Sequence, residues 1–155
     1  MKKLLIAVAA GLCCFFMSCN NSGSSGTASS EGSSDSNAAR YKQINRDILK
    51  GIETGDSSKF SGIADDAVDH MGPKGQEVKG GDNIKKMLLD MHNHAKDLNF
   101  DVKDEAVSGD NLFTWATMTG TATDSSMGVP ANTKFNWTSV DVLKFKDGKA
   151  YEHWG

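Results

Sequence analysis

Three segments of the chain carry apolar residues at the spacing of an α-helix. The first segment ends at Gly55, a residue type that is typical of helix C-caps. Its apolar positions are Tyr41, Ile44, Ile48 and Ile52. Asp56 can cap a short second helix that buries Phe60 and Ile63. The third helix covers residues 80–96 and has lysines opposite its apolar stripe. That stripe consists of Ile84, Met87, Leu88, Met91 and Ala95.

Beyond residue 97 the hydrophobic period changes from helical to alternating, which is typical of strands. Strands are predicted at residues 98–107, at 112–123 and within 134–154, where Asp147-Gly148 marks a hairpin turn. One more short strand, residues 66–71, lies between the second and third helices. The order α-α-β-α-β-β-β-β predicts an α+β fold with three helices packed on one face of a curved antiparallel sheet.

The first residues resemble an export signal. Lys2 and Lys3 precede the apolar run "LLIAVAAGLCCFFM", whose 14 residues fall short of the about 20 that a membrane-spanning helix needs. The run ends in "FMSC", which resembles the lipobox of bacterial lipoproteins. Residues 1–18 are therefore predicted to be a lipoprotein signal peptide and Cys19 the lipidated residue. The alternative is ordinary signal cleavage that leaves Cys19 free.

The cysteine count agrees with this interpretation, because cleavage after Ser18 leaves Cys19 without a partner for a disulfide. Residues 20–37 are rich in Ser, Gly and Asn and predict a flexible tether. The expected organisation is a lipidated cysteine and tether in residues 19–37 and one domain in residues 38–155. The expected location is the bacterial cell envelope, anchored by lipid and facing away from the cytoplasm.

Charge and motifs narrow the possible partners. The formal net charge is −3 with no basic stripe, which argues against nucleic-acid binding. His92 and His94 are two residues apart on a helix, so they diverge by about 200° and do not predict a metal site. No phosphate-binding loop is present, and neither a metal nor a cofactor is expected.

Two stretches resemble a known family. "GIETGDSSKFSGIADDAVDHMGPKGQEVKGGDNIKKML" and "SVDVLKFKDGKAYEHW" are similar to the opening and the closing hairpin of SnoaL-like domains in the nuclear transport factor 2-like superfamily. The likeness covers residues 40–155. It implies a cone-shaped fold in which helices close a bent sheet around a pocket, often as a homodimer through the sheet. Members include polyketide cyclases, isomerases, dehydratases and relatives without known catalysis.

Alternation along the penultimate strand places Asp141 among apolar neighbours, on the face that we expect to be the inner one. Its inner set is Phe135, Trp137, Ser139, Asp141, Leu143 and Phe145. In the family's orientation the last strand turns Tyr151 and His153 inward and Trp154 outward. Asp141 and His153 would then form an acid–base pair. The alternative is that both are structural. Gly155 stands where the family's cyclases often have an acid, which weakens a cyclase assignment.

The other candidate ligand-binding residues are His70 at the pocket mouth and the apolar side chains of Met91, Trp115 and Trp137, together with Tyr151. A methionine on a helix stripe is more often part of the core than of a binding site, and core packing explains the two tryptophans equally well. Three functions stay open: a module that binds a small, largely apolar ligand, an isomerase, cyclase or dehydratase that uses Asp141 and His153, and a dimerisation domain with a vestigial pocket. The dimerisation function predicts an exposed apolar patch on the outer face of the sheet.

Overall fold

A computed structural model describes residues 31–155, with side chains from residue 36 onward. The signal segment and Cys19 lie outside the described residues. The first helix, α1, covers Glu31–Thr54 and ends at Gly55, whose φ of +70° suits the predicted C-cap. Residues 31–37, which composition placed in the tether, are therefore helical.

Seven further regular elements follow α1. They are the strands β1 (Ile63–Gly72), β2 (Gln76–Lys79), β3 (Ala95–Ser108), β4 (Asn111–Ala122), β5 (Lys134–Lys146) and β6 (Lys149–Trp154), and the helix α2 (Gly81–Asn93). Short 3₁₀ turns occupy Ser57–Gly62, Pro73–Gly75 and Ser125–Met127.

The predicted second helix is only a 3₁₀ turn. Asp56 does cap it, because its Oδ1 accepts the backbone N–H of Ser58 at 3.0 Å. Ser57–Gly62 is too short and too rich in serine and glycine to sustain an α-helix. Ile63, expected on that helix, begins β1 and is buried there. The number of α-helices packed on the sheet in the described part is therefore smaller than the predicted three.

The six strands form one sheet in the order β2-β1-β6-β5-β4-β3. Neighbours are antiparallel except β1 and β6, which run parallel. The prediction of a purely antiparallel sheet was wrong at this pair. A parallel pair needs a long connection between its strands, and the whole chain from β2 to β5, including α2, supplies it. The pairing is important because it places the first strand of the domain, β1, next to its last strand, β6.

The helices α1 and α2 cover the inner face of the sheet, and the hydrophobic core lies between the helices and the sheet. Phe60, Leu112 and Phe145 are its most deeply buried side chains. The Tyr41 ring of α1 stacks on Phe145 of β5 with centroids 3.9 Å apart. Among the described residues, no helix is long and apolar enough to cross a membrane.

The outer face of the sheet carries exposed apolar side chains. Phe113 and Trp115 of β4 are 40% and 50% exposed, and Val140 of β5 is 59% exposed. Trp115 pairs with Val140 across the two strands, and Phe113 pairs with Val142 beside them. The four residues form one continuous patch, which we call the outer patch.

Candidate functional site

A cavity of about 210 Å³ lies between the helices and the inner face of the sheet. It exceeds the ~150 Å³ that can hold a benzene ring, so it suits a small molecule. The apolar wall consists of Ile48, Leu49, Ile52, Ile63, Ala67, Val68, Ile84, Leu88, Met91, Phe100, Ala116, Met118, Trp137, Leu143, Ala150 and Tyr151. The polar lining residues are Asn45, Asp69, Thr114, Ser139, Asp141, Glu152 and His153.

Strand β5 presents Asp141 to this cavity. Trp137, Ser139 and Leu143 line the cavity from the same strand, so the alternation predicted for β5 agrees with the structure. The hydroxyl of Ser139 donates to Oδ2 of Asp141 at 2.9 Å. This bond leaves Oδ1 of the carboxylate on the side of the cavity where His153 lies.

Strand β6 brings in His153 by way of a bulge. Phe145 of β5 pairs with Ala150 and the next residue, Lys144, pairs with Glu152, so Tyr151 is the extra residue. Strict alternation would put Ala150 and His153 on opposite faces, but the bulge lets both line the cavity. Tyr151 also lines the cavity.

Asp69 of β1 is the partner of His153 that sequence reasoning missed. The parallel pairing sets the two residues opposite each other, and Nδ1 of His153 lies 2.9 Å from Oδ2 of Asp69. Asp69 is only 4% exposed, and its Oδ1 accepts the backbone N–H of Met71 at 2.8 Å. Its carboxylate is thus fixed on both oxygens. The sequence did show an acidic residue, Asp69, in a short apolar strand. Its contact with His153 could not be predicted, because it depends on a strand pairing that leaves no local sequence pattern.

The second imidazole nitrogen of His153 faces Asp141, with Nε2 3.7 Å from Oδ1. Burial disfavours the charged ring, but hydrogen bonding to Asp141 and Asp69 and their negative charges outweigh it and raise the pKa of His153 to about 9. Burial likewise opposes ionisation of Asp69, yet the bond to His153 and its charge hold the pKa of Asp69 below its usual value. At neutral pH the site is an imidazolium between two carboxylates.

This arrangement can donate a proton from one atom and accept one at another. Because an imidazolium carries a proton on both nitrogens, Nδ1 donates to Asp69 and Nε2 presents its proton toward the cavity. At 3.7 Å, Nε2 and Oδ1 of Asp141 are close enough for one ligand to contact both from the cavity side. The arrangement thus sets a carboxylate beside a proton donor in the cavity wall.

Two other expected ligand contacts lie in the cavity wall and two lie elsewhere. Met91 and Trp137 line the cavity, and Trp137 stacks on Phe135 with centroids 4.4 Å apart. Trp115 does not, because β4 turns Thr114 and Ala116 inward and so turns Trp115 to the outer face.

His70 lies outside the cavity lining as well, since its neighbour Asp69 takes the inward position. Its ring stacks on Trp154 at 4.7 Å, and its Nδ1 bonds to Glu77 at 2.9 Å.

The two histidines at the end of α2 are each engaged separately. Nδ1 of His92 lies 2.9 Å from the carbonyl of Ile52, and Nδ1 of His94 lies 2.6 Å from Oδ2 of Asp124. Within the described residues, no group of three or more His, Cys, Asp or Glu side chains is placed to hold a metal ion.

Comparison with known proteins agrees with this architecture. TsrD from Streptomyces laurentii superposes with a TM-score of 0.66 at 20% identity, over 75% of this chain and 86% of TsrD. AclR from Streptomyces galilaeus superposes with a TM-score of 0.61 at 26% identity, over 76% of this chain and 77% of AclR. An LEH-like epoxide hydrolase from M. tuberculosis superposes with a TM-score of 0.60 at 13% identity, over 75% of this chain and 80% of the hydrolase. Among curated proteins, no sequence matches this chain.

The sequence itself matches one family over most of its length. Residues 42–155 fit the SnoaL-like polyketide cyclase family, which agrees with the nuclear transport factor 2-like fold of the structural neighbours. The matched range contains α2, every strand and all three members of the Asp69–His153–Asp141 cluster. The chain therefore belongs to the SnoaL-like polyketide cyclase family.

Proposed function

We propose that this domain binds a small, largely apolar carbonyl compound and moves a proton on it through Asp141 and His153. The observation that carries the proposal is the Asp69–His153–Asp141 cluster, with Asp69 buried and the other two half-buried, set in the wall of a mostly apolar cavity. A purely passive apolar pocket has no use for an ionised cluster, since burying charges costs free energy unless they are paired.

The chemistry follows from the charge state of the cluster. His153 is protonated at neutral pH, so the base is Asp141. Asp141 takes a proton from the carbon next to the carbonyl, and the C–H electron pair becomes the enol double bond. Nε2 of His153 donates its proton to the carbonyl oxygen. Where a C=C bond lies next to the α-carbon, the enol is a dienol, and return of the proton from Asp141 to the far carbon of that bond isomerises the substrate. Alternatively, attack of the enol carbon on a second carbonyl closes a ring; the new hydroxyl takes the proton from Asp141, and the enol O–H returns its proton to His153.

Asp69 is a positioning residue in this scheme. It fixes the imidazole through Nδ1 and keeps it charged, so Nε2 always has a proton to donate. It touches the ligand only through His153. The class of reaction is thus enolisation of a carbonyl compound, as in an isomerase or cyclase.

The enolisation step can be tested with a simple ketone. Cyclohexanone is incubated with the purified protein in D₂O, and ¹H NMR follows the loss of its α-proton signal. We expect the wild type to accelerate exchange over buffer. Asp141→Asn should lower the protein-dependent rate by about 10²-fold or more, as expected for loss of a general base. Asp66→Asn, which changes an exposed carboxylate on β1, is the matched control and should exchange as fast as the wild type.

Binding is followed in the same samples from shifts of the protein resonances. If the ketone binds but its α-protons exchange no faster than in buffer, the enzyme proposal is contradicted and the domain is a binding module. Exchange that is equal in the wild type and in Asp141→Asn would remove Asp141 from the mechanism.

We also propose that the outer patch pairs with a second copy of the chain. Exposed aromatic and β-branched side chains on a flat sheet face mark an interaction site more often than a monomer surface. Trp115 is paired with Val140 and Phe113 with Val142 across β4 and β5, so a two-fold axis would pack the outer patch of one copy against the same patch of the other.

Sedimentation velocity tests this association. The wild type should sediment as a dimer, and the double variant Trp115→Ser/Val140→Lys as a monomer. Met71→Ser removes an exposed apolar side chain outside the outer patch and should leave the dimer intact. A monomeric wild type at micromolar concentration would overturn the proposal.

Membrane attachment is a separate proposal that rests on the sequence of residues 1–19 alone. We propose that Cys19 receives lipid and anchors the domain in the bacterial envelope, where two or more acyl chains hold a protein stably. Incorporation of labelled palmitate in a bacterial host tests it. The label should be lost in Cys19→Ala and kept in Cys14→Ala. Equal labelling of the Cys19→Ala variant and the wild type would exclude this anchor.

A further inference from the structure

A second polar pair lines the same cavity, away from the Asp69–His153–Asp141 cluster. Asn45 of α1 and Thr114 of β4 are 6% and 3% exposed, and both line the cavity. Nδ2 of Asn45 donates to Oγ1 of Thr114 at 3.0 Å. Two polar side chains buried in an otherwise apolar wall cost free energy unless they have a use for their remaining hydrogen-bonding capacity.

The orientation of the Asn45 amide is fixed from behind. Nδ2 also lies 3.3 Å from Oε1 of Glu105, and Oε2 of Glu105 accepts from Arg46 at 2.6 Å. An amide has two N–H donors, and here both point at acceptors. The carbonyl oxygen of Asn45 and the hydroxyl proton of Thr114 are not engaged by any described residue. The cavity wall therefore offers a ligand one hydrogen-bond acceptor, the carbonyl oxygen of Asn45, and one donor, the hydroxyl of Thr114.

The sheet sets the spacing between the two polar points. Thr114 and Asp141 are directly opposite each other on β4 and β5, and both face inward. Side chains in such a pair lie about 5 Å apart. Past this pair the inner face of β4 is apolar, with Ala116 and Met118. The cavity thus offers polar contacts at two places, one strand spacing apart, and hydrophobic contact elsewhere.

We infer that the ligand is a neutral molecule with two oxygen functions, one that accepts from His153 and one that accepts from Thr114. The inference rests on the proposed function for the first oxygen and adds the second. The Thr114 hydroxyl donates to the second oxygen while accepting from Asn45, so Thr114 is a specificity residue. An anionic ligand is disfavoured, because the carboxyl side chains that line the cavity, those of Asp69, Asp141 and Glu152, outnumber the one histidine, His153.

Matched ketones test the second contact. Dissociation constants of 1,4-cyclohexanedione and cyclohexanone are measured by NMR titration of the purified protein. Both rings are small enough for the cavity, and they differ by one oxygen. The wild type should bind the dione about five- to tenfold more tightly, the gain expected from one additional hydrogen bond. Thr114→Val should abolish that preference, and Thr114→Ser, which keeps the hydroxyl, should retain it.

The control is Thr117→Val on the same strand. Thr117 bonds to Thr138 away from the cavity, so this variant should keep the full preference for the dione. A wild type without preference, or a preference that survives in Thr114→Val, would overturn the inference and leave the proposed function standing. Binding of neither ketone in the cavity would overturn both. Binding that is unchanged in His153→Gln would overturn the proposed function and the first contact, while a dione preference that depends on Thr114 would leave the second contact standing.

Discussion

Nδ1 of His153 lies 2.9 Å from Oδ2 of Asp69, although the two residues are 84 positions apart in the chain. The contact crosses the one parallel pair among the described strands, β1 with β6. Asp69 is almost inaccessible to solvent, so its charge acts on the imidazole with little screening. This relationship helps to keep the His153 ring protonated at neutral pH.

Replacing Asp69 by asparagine should lower the pKa of His153. The amide keeps the size of the side chain but removes the negative charge next to Nδ1, and loss of an adjacent opposite charge lowers a histidine pKa by about 1–3. In the cyclohexanone exchange assay, the alkaline limb of the pH–rate profile should move to lower pH. An unchanged alkaline limb in Asp69→Asn would show that Asp69 does not control the charge of His153.

Folding stability should fall on the alkaline side of neutrality. The folded pKa of His153, about 9, lies above its ordinary value of 6.5, so its contribution is complete below about pH 6.5 and is lost as the pH rises toward 9. The depressed pKa of Asp69 works in the opposite direction, and its contribution is lost as the pH falls below about 4. The histidine accounts for up to roughly 3 kcal/mol, at 1.36 kcal/mol for each pKa unit.

Urea unfolding at pH 6, 7.5 and 9 measures this decline. His153→Gln should be less stable than the wild type at pH 6 and should lose the part of the alkaline decline that comes from this residue. Thr117→Val changes a side chain that does not titrate and lies outside the cavity, and it should retain the wild-type pH dependence. Equal stability of the wild type at pH 6 and pH 9 would contradict the assignment.

Gly155 leaves the space that Asp141 occupies. A Cβ built on Gly155 would overlap Oδ1 of Asp141 and lie 3.2 Å from Nε2 of His153. Gly155→Ala should therefore push the carboxylate away from the imidazole, lower the pKa of His153 and slow ketone exchange. The reduction should be smaller than that in Asp141→Asn, because the carboxylate is displaced rather than removed. Exchange as fast as in the wild type would mean that Asp141 reacts from another position.

The sequence predicted much of the sheet because its signals there are local. Alternation marked β3 to β6, and Asp147-Gly148 forms the two-residue turn with φ of +52° and +73°, as a type I′ hairpin requires. The strand β2 was missed because its four residues are polar or half-exposed. The parallel β1–β6 pair was missed because pairing between strands distant in sequence depends on how the helices pack and leaves no periodic trace.

The candidate site was predictable where it depended on alternation. The inward placement of Asp141 followed from the apolar neighbours of β5, whereas β4 reverses the usual rule. Its inner face carries Thr114 and its outer face Trp115, so of the two tryptophans that hydrophobicity suggested, Trp137 lines the cavity and Trp115 does not. The roles proposed for Asp141 and His153 stay predictions.

The most direct test of the account is the titration of the His153 imidazole in the wild-type protein, followed by NMR of the ring resonances. Spectra of His153→Gln assign the signal. We expect a pKa of about 9, with the ring charged throughout the neutral range. A pKa at or below the ordinary 6.5 would contradict the account, because His153 would then be neutral at pH 7.5 and would have no proton on Nε2 to spare for a carbonyl oxygen.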